Sequence, residues 1–434
     1  MKERNNNLIY DTHEHPKTIK EWVLYAVQML MAVFVATVLI STICGTPVDA
    51  GLLGACLGTL TYQVITKFKS PVFISNSGAT VSAVIGALAL GSTPNYFAVF
   101  IGGLVVLAVY SIFAFVIKWR GIDALNKLFP PYIVGPITIV IGLNLAGFIP
   151  TYVDLGGATS NINVLVAIAV MTVVALSSHY FKGFLKTIPF LLGLVFGFVV
   201  CFGLELFGVA DYGIINKFGT IDSFFNLPSF AFLNWADGFK SFNFGVLIDV
   251  VLLFVPVAIC ALCEHYSDHM VMSNIIGHDL TKDPGLHRTL VADGTASVIG
   301  TIFGGQPNTS YGESTAMVGF SRVASVKVVS LAAIMMGLLA FIEPVQVFIS
   351  AVPSCVFGGC AMILYGYIAC SGLKTLMRNK TDLENNKILI VVSVILTVGV
   401  SGIFLFSQSF AGVSLAMVLG IILNLVLRSP KTNN

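Results

Sequence analysis

Eleven stretches of the chain are apolar over roughly the 20 residues that a helix needs to cross a bilayer. They run 22–43, 50–66, 94–117, 131–149, 161–179, 185–208, 245–275, 325–348, 353–373, 386–405 and 411–427. Three more, 71–91, 290–304 and 307–321, are apolar but interrupted by Gly, Pro, Ser or Asn. Counting these as spans predicts an all-α polytopic membrane protein with fourteen transmembrane segments.

Composition and charge sharpen this reading. Only 10% of residues are charged, against about 25% in a soluble domain, and the 41 glycines suit helices that approach closely in lipid. With fourteen spans and a cytosolic N-terminus, 21 of the 23 Lys and Arg residues fall on the cytosolic side. Only Lys217 and Lys240, in the long loop 209–244, fall outside. Such a bias is what the positive-inside rule demands, so both tails, 1–21 and 428–434, are expected in the cytosol of a multi-pass plasma-membrane protein. The polar first 20 residues lack an apolar h-region, so no cleaved signal peptide is expected. No basic run with interleaved aromatics points to nucleic acid. Cys260 and Cys263 form a C-x-x-C inside an apolar helix with no second pair, which reads as core packing.

Two of the broken segments match. PVFISNSGATVSAVIGALALG (71–91) and PNTSYGESTAMVGFS (307–321) each open on Pro, pass through extended-favouring residues to Gly78 or Gly312, and then turn helical. Extended backbone at membrane depth is tolerated only where it is buried or lines a cavity. A half-helix that follows it points free N–H groups and a positive dipole end into that cavity. Paired interruptions in corresponding halves mark a transporter's binding site. Segments 129–147 and 352–372 form a second, weaker pair. Seven spans per half make the repeats inverted.

The segment VPVAICALCEHYSDHMVM (255–272) places Glu264, His265, Asp268 and His269 within six positions. Ionisable groups in a span mark ion or substrate paths. Glu264 and Asp268 share a helix face, as do His265 and His269, and two carboxylates so close favour a shared proton. Glu313 follows Gly312 at the second break. The histidines have metal-ligand spacing, but a zincin helix needs Glu inside the pair, and here Glu264 precedes it; His265 reads as a hydrogen-bonded core residue, and no metal is assigned. Asp249 and Asp293 read as interfacial or helix-packing groups, Asn144 as a link between helices.

These motifs, CEHYSDHMVMSN followed by DPGLHRTLVADGTASVIGTIFGGQPNTSYGES, with LFPPYIVGPITIVIGLNLAG and LYGYIACSG, strongly resemble the nucleobase/ascorbate transporter family and, within it, the bacterial uracil permease branch. The resemblance covers nearly the whole chain. It implies a fold of seven plus seven inverted segments, with short antiparallel strands in segments 3 and 10. It also implies a core domain (22–117 and 245–348), a gate domain (131–208 and 353–427), an extracellular loop 209–244, and a homodimer. Glu264, Glu313 and Gly312 would then bind the base, with Tyr311 as an aromatic wall and Gly78, beside Ser77, offering a backbone N–H. Asp268, Glu313 and His269 would couple protons.

There are departures. Asp268 stands where the uracil branch carries His, and Gly78 where it carries Phe. After Glu313, Ser-Thr-Ala replaces the family pattern. The expectation is therefore import of a nucleobase, uracil, by proton symport, with purine transport or sodium coupling as alternatives and no cofactor or enzymatic activity. A passive channel would not need acids at both breaks. An intramembrane metalloenzyme using His265, Asp268 and His269 is the remote alternative.

Overall fold

The computed structural model describes residues 8–91, 93–121, 130–157, 159–219, 221, 223–403 and 411–427. The predicted tail 428–434, residues 1–7 of the N-terminal tail and residues 404–405 of one predicted span lie outside the described residues.

Fourteen segments follow in order: α1 (Ile19–Cys44), α2 (Val48–Ile65), β1 (Ile74–Asn76) with α3 (Val81–Leu88), α4 (Tyr96–Arg120), α5 (Pro131–Ala146), α6 (Ser160–Tyr180) and α7 (Pro189–Leu206) make the first half. The second holds α8 (Phe244–Ile276), α9 (Leu286–Phe303), β2 (Asn308–Ser310) with α10 (Gly312–Ser321), α11 (Val326–Leu339), α12 (Ser354–Arg378), α13 (Asn386–Val400) and α14 (Ala411–Val426). The interrupted segment is third in each half. Among the described residues, eight helices are long and apolar enough to cross a membrane by length and composition alone, and α11, α13 and α14 are shorter apolar helices.

Local chemistry sets the ends. Thr18 caps α1 by accepting the Glu21 N–H, and Gly45, at φ +68°, closes it in the left-handed region. Asn95 and Asn243 cap α4 and α8 in the same way. Pro131 and Pro189 open α5 and α7, where a missing N–H costs nothing. One predicted span is corrected. The stretch 325–348 is not a single helix: α11 ends at Leu339, and Glu343–Ala351 forms a separate helix. Pro344 sits in its first turn, where it cannot continue a helix from upstream without losing a backbone bond.

The helices pack in two groups. α9 lies against α2 and α4, α11 against α1 and α2, and α8 and α10 complete this cluster around β1 and β2. In the other, α12 packs on α5 and α6, α6 on α7, and α13 on α5 and α14. α1 meets α7 and α12 across the boundary, and α8 meets α5 and α14. Packing within the second group is close: a Cβ on Gly142 of α5 would come 2.5 Å from the Ala369 nitrogen of α12. Asn144 donates to the Gly399 carbonyl at 3.0 Å, the link between helices that its position predicts.

The N-terminal tail does not hang free. Residues 8–14 lie alongside 322–326, the link from α10 to α11, with Ile9 N–H on the Arg322 carbonyl at 2.8 Å and Ala324 N–H on the Tyr10 carbonyl at 2.9 Å. Ser325 Oγ donates to the Glu14 carbonyl at 2.6 Å. Leu8 and Thr12 are buried.

Candidate functional site

β1 and β2 pair antiparallel, Ile74 with Ser310, Ser75 with Thr309 and Asn76 with Asn308. A two-stranded ribbon leaves outer backbone groups that no lipid can satisfy. Side chains from the neighbouring helices supply partners. Thr59 of α2 both donates to the Ile74 carbonyl (2.6 Å) and accepts its N–H (3.1 Å). Ser297 of α9 donates to the Asn308 carbonyl at 2.5 Å. The Asn308 amide donates to the Gly54 carbonyl at 2.9 Å. Gly58 makes room for that amide, since a Cβ there would sit 2.2 Å from Asn308 Nδ2.

The ribbon delivers two half-helix N-termini to one place. α10 begins at Gly312, with Glu313 in its first turn and Tyr311 as the preceding extended residue. Free N–H groups at such an end attract an acceptor or an anion. Gly312 is exposed, and a Cβ on it would lie 3.8 Å from Asp268 Oδ1. Ser310 Oγ donates to Asp268 Oδ2 at 3.0 Å. Glu264 stands one turn from Asp268 on α8, and Glu313 follows Gly312 in the first turn of α10. Three carboxylates from two elements thus converge where the ribbon ends.

Glu264 forms part of the wall of a cavity of about 720 Å³ between the two helix groups, with Thr138 of α5 and Ser371 of α12 opposite. This cavity extends to Lys374 and Arg378, at the end of α12. A second cavity, about 1170 Å³, lies at the other ends of the helices, among Thr46, Asp49, Tyr152 and Phe357. None of Glu264, Asp268 or Glu313 lines it. In the wall of this second cavity the Tyr152 hydroxyl donates to the Ile43 carbonyl at 3.4 Å. Of the three acids, Glu264 lines the first cavity, the one that reaches the basic end of α12, and Asp268 and Glu313 lie behind its wall.

The remaining predicted residues divide. Gly78 is half-buried, and a Cβ there would sit 3.7 Å from Ile40 Cδ1 and 3.8 Å from Ile368 Cδ1, so it faces α12 across the group boundary. Ser77 donates its N–H to the Pro307 carbonyl at 2.9 Å, while its Oγ is buried with no hydrogen-bond partner among the described residues. Tyr311 is buried, and its hydroxyl donates to the Asn76 carbonyl at 2.8 Å, so it braces the ribbon.

His269 is not brought to the acids. Its Nδ1 donates to the His265 carbonyl at 2.7 Å, and the Tyr62 hydroxyl of α2 lies 2.6 Å from Nε2. His265 pairs with Asp293 Oδ2 through Nδ1 (2.6 Å) and with Thr289 Oγ1 through Nε2 (3.0 Å). All four ring nitrogens are engaged, so the rings share no free ligand position. Of the two readings of Asp293 the helix-packing one holds and the interfacial one does not: its side chain is fully buried and ties α9 to α8. Cys260 is fully buried, and both Cys260 and Cys263 stand in the cavity wall.

Sequence reasoning missed Tyr62, Thr289 and Ser310. Tyr62 stands among Thr59, Thr61 and Gln63, and Thr289 follows His287 and Arg288, so neither is set apart from its polar neighbours by spacing. Ser310 stood inside the motif PNTSYGE and could have been found by asking which hydroxyl a strand would turn to Asp268.

Residues 20–408 match the family described as the Permease family. Curated relatives include the uracil permease of Bacillus caldolyticus, 34% identical over 427 residues, covering 97% of this chain and 95% of that one. That of Bacillus subtilis (strain 168) is 36% identical over 421 residues, covering 94% and 93%. That of Escherichia coli (strain K12) is 34% identical over 411 residues, covering 93% and 90%. Among solved structures, the transmembrane domain of the cyanobacterium bicarbonate transporter BicA superposes with a TM-score of 0.55 at 15% identity, covering 95% of this chain and 98% of that one. The murine Solute Carrier 26 family member A9 anion transporter, in its inward-facing state, gives 0.62 at 12%, covering 94% and 69%. These last two likenesses show the fold, seven plus seven segments.

Proposed function

The chain belongs to the Permease family, a membrane transporter and not an enzyme, and from that premise we propose that it imports a nucleobase, uracil, by proton symport. The observation that carries this reading is Asp268 against Ser310 and Gly312 at the start of α10, with Glu313 in the first turn of that helix and Glu264, one turn from Asp268, in the wall of a cavity. A nucleobase is planar, neutral and edged with fixed N–H and C=O groups. Carboxylates accept its N–H groups, and the N-terminal N–H groups of α10, with the backbone N–H of Gly78, answer its carbonyls. A site that matches those groups rejects analogues that leave a buried polar group unpaired, by a large factor. The curated relatives carry the name uracil permease, which supports uracil among such ligands.

In this reading the basic face is cytosolic, both termini lie there, and the protein sits in the plasma membrane. The group built on β1 and β2 moves as a core (22–117 and 245–348) against a gate (131–208 and 353–427). A proton taken up at Asp268 or Glu313 from the outer side removes net charge from the site, which lowers the cost of enclosing it. The core then carries base and proton to the cavity that reaches Lys374 and Arg378, and low cytosolic proton activity releases the proton. Differential affinity in the two states shifts the populations. His269, tied to Tyr62, positions α8 rather than exchanging the proton.

One observation favours a purine as a second reading: Gly78 puts no side chain between the ribbon and Ile368 of α12, which leaves width beside the ring. The test is displacement of tracer uracil from the purified protein by unlabelled uracil, thymine, xanthine and hypoxanthine. Displacement by uracil alone supports the first reading. Binding and displacement by xanthine in place of uracil would move the assignment to purines.

A further inference from the structure

The cavity at Glu264 is wider than a single base requires, and its two ends differ in charge. About 720 Å³ lies within the range of sites for far larger ligands. Glu264 is the only acid among its lining residues. At the other end stand Lys374 and Arg378, four apart on α12 and therefore on one face. Both are exposed, and neither forms an ion pair among the described residues. Arg378 Nη1 donates to Ser267 Oγ at 3.4 Å, and Ser267 is three residues, about 4.5 Å of helix rise, along α8 from Glu264. Ser371 and Thr375 add hydroxyls between the cations.

Two cations and three hydroxyls around an opening form the donor set that phosphate selects, since charge-assisted bonds from Lys and Arg are the strong ones. A helical turn away sits the acid assigned to the base. We propose that this cavity binds a nucleoside 5′-monophosphate, with the phosphate on Lys374 and Arg378 and the base against Glu264, and that the ligand blocks transport instead of crossing. The proposal rests on the nucleobase reading and deepens it. The ribose replaces a ring N–H, so the base cannot use Glu264 and Glu313 together as the free base does. The ribose phosphate stands between α8 and α12, one from each helix group, and holds open the cavity that must close for the cycle to proceed. Attachment of phosphoribose to the imported base yields such a ligand on the face where this cavity opens, so the site reports how much imported base has already been used.

The experiment is displacement of tracer uracil by uridine monophosphate, uridine and inorganic phosphate, on the wild-type protein and on Lys374→Gln/Arg378→Gln. The expected result is displacement by uridine monophosphate at concentrations about tenfold or more below those of uridine or phosphate. The double variant loses that advantage and retains uracil affinity, which also shows that it is folded. Each single variant should lose part of it. Repetition in nanodiscs of phosphatidylcholine and of phosphatidylglycerol separates the two sources of phosphate. Equal displacement in both supports the nucleotide site, whereas displacement abolished by the anionic lipid means that headgroups occupy it and overturns the proposal. Uridine monophosphate acting no better than uridine, or an unchanged advantage in the double variant, overturns it as well. If uracil itself fails to bind, the nucleobase reading fails first and the nucleotide site with it.

Discussion

Replacing Tyr62 by Phe removes one oxygen and leaves the packing shape unchanged, which makes it a clean probe of how α8 is held. That oxygen lies 2.6 Å from His269 Nε2 and 2.9 Å from Ser70 Oγ. Tyr62, His269 and Ser70 are fully buried. With the Nδ1 proton of His269 on the His265 carbonyl, Nε2 of the neutral ring accepts the Tyr62 proton, and Ser70 donates to Tyr62. The variant therefore orphans an acceptor and a donor together. Such groups cost about 1–3 kcal/mol each in proteins generally, but interhelical bonds in a membrane average about 0.6 kcal/mol, with a maximum near 1.7. For two bonds the expected loss is about 1–3 kcal/mol. The assay is reversible unfolding by SDS titration in mixed micelles, run as a cycle with His269→Leu. Because both variants break the same bond, the double variant should be less destabilised than the sum by about 1 kcal/mol. Strict additivity, or a Tyr62→Phe loss below about 0.3 kcal/mol, which is within the error of additivity, would refute the bond and its role as the α2–α8 tie.

Three further outcomes follow from the same geometry. Gly58→Ala drives a Cβ onto the Asn308 amide, and overpacking of this kind costs about 1–3 kcal/mol; uracil binding should weaken along with stability, and an unaltered protein by both measures would show that the ribbon tolerates displacement. Glu313→Gln preserves shape but loses a charged acceptor worth about 1.5–3 kcal/mol, so uracil affinity should fall by about 10- to 100-fold with melting temperature unchanged. Deleting residues 2–14 removes the backbone bonds to 322–326; hydrogen exchange at 322–326 should accelerate, and protection equal to that of the full chain would mean that the tail adds nothing to the α10–α11 link.

Much of this architecture is legible in the sequence for identifiable reasons. Membrane depth imposes length, so apolar runs locate the segments. Pro71 and Pro307, each followed by a Gly seven or five residues on, mark the two strand–helix breaks because backbone cannot be irregular in lipid without cause. Glu264, Asp268 and Glu313 stood out since charge in a span is costly, and the structure brings Asp268 to the start of α10. Direction was harder. Asp293 and His269 lie in helices that are apolar on most faces, so no hydrophobic stripe tells which way each side chain points, and both turned out to bind neighbouring helices. The docking of residues 8–14 runs through backbone atoms, which every sequence possesses, and so left no mark. The break between Leu339 and Glu343 does carry a mark, Glu343-Pro344 at the start of the second helix, which the apolar run on either side outweighs.

The central claim is proton-driven import through the acids at the ribbon. Its most direct test is tracer uracil uptake into proteoliposomes under an imposed pH gradient, without sodium, for the wild type and for Asp268→Asn. The account predicts accumulation away from the acidic side, collapse with a protonophore, and loss of accumulation in the variant while uracil still equilibrates. Accumulation that requires sodium and ignores the pH gradient, or wild-type flux that never exceeds equilibration, would contradict it.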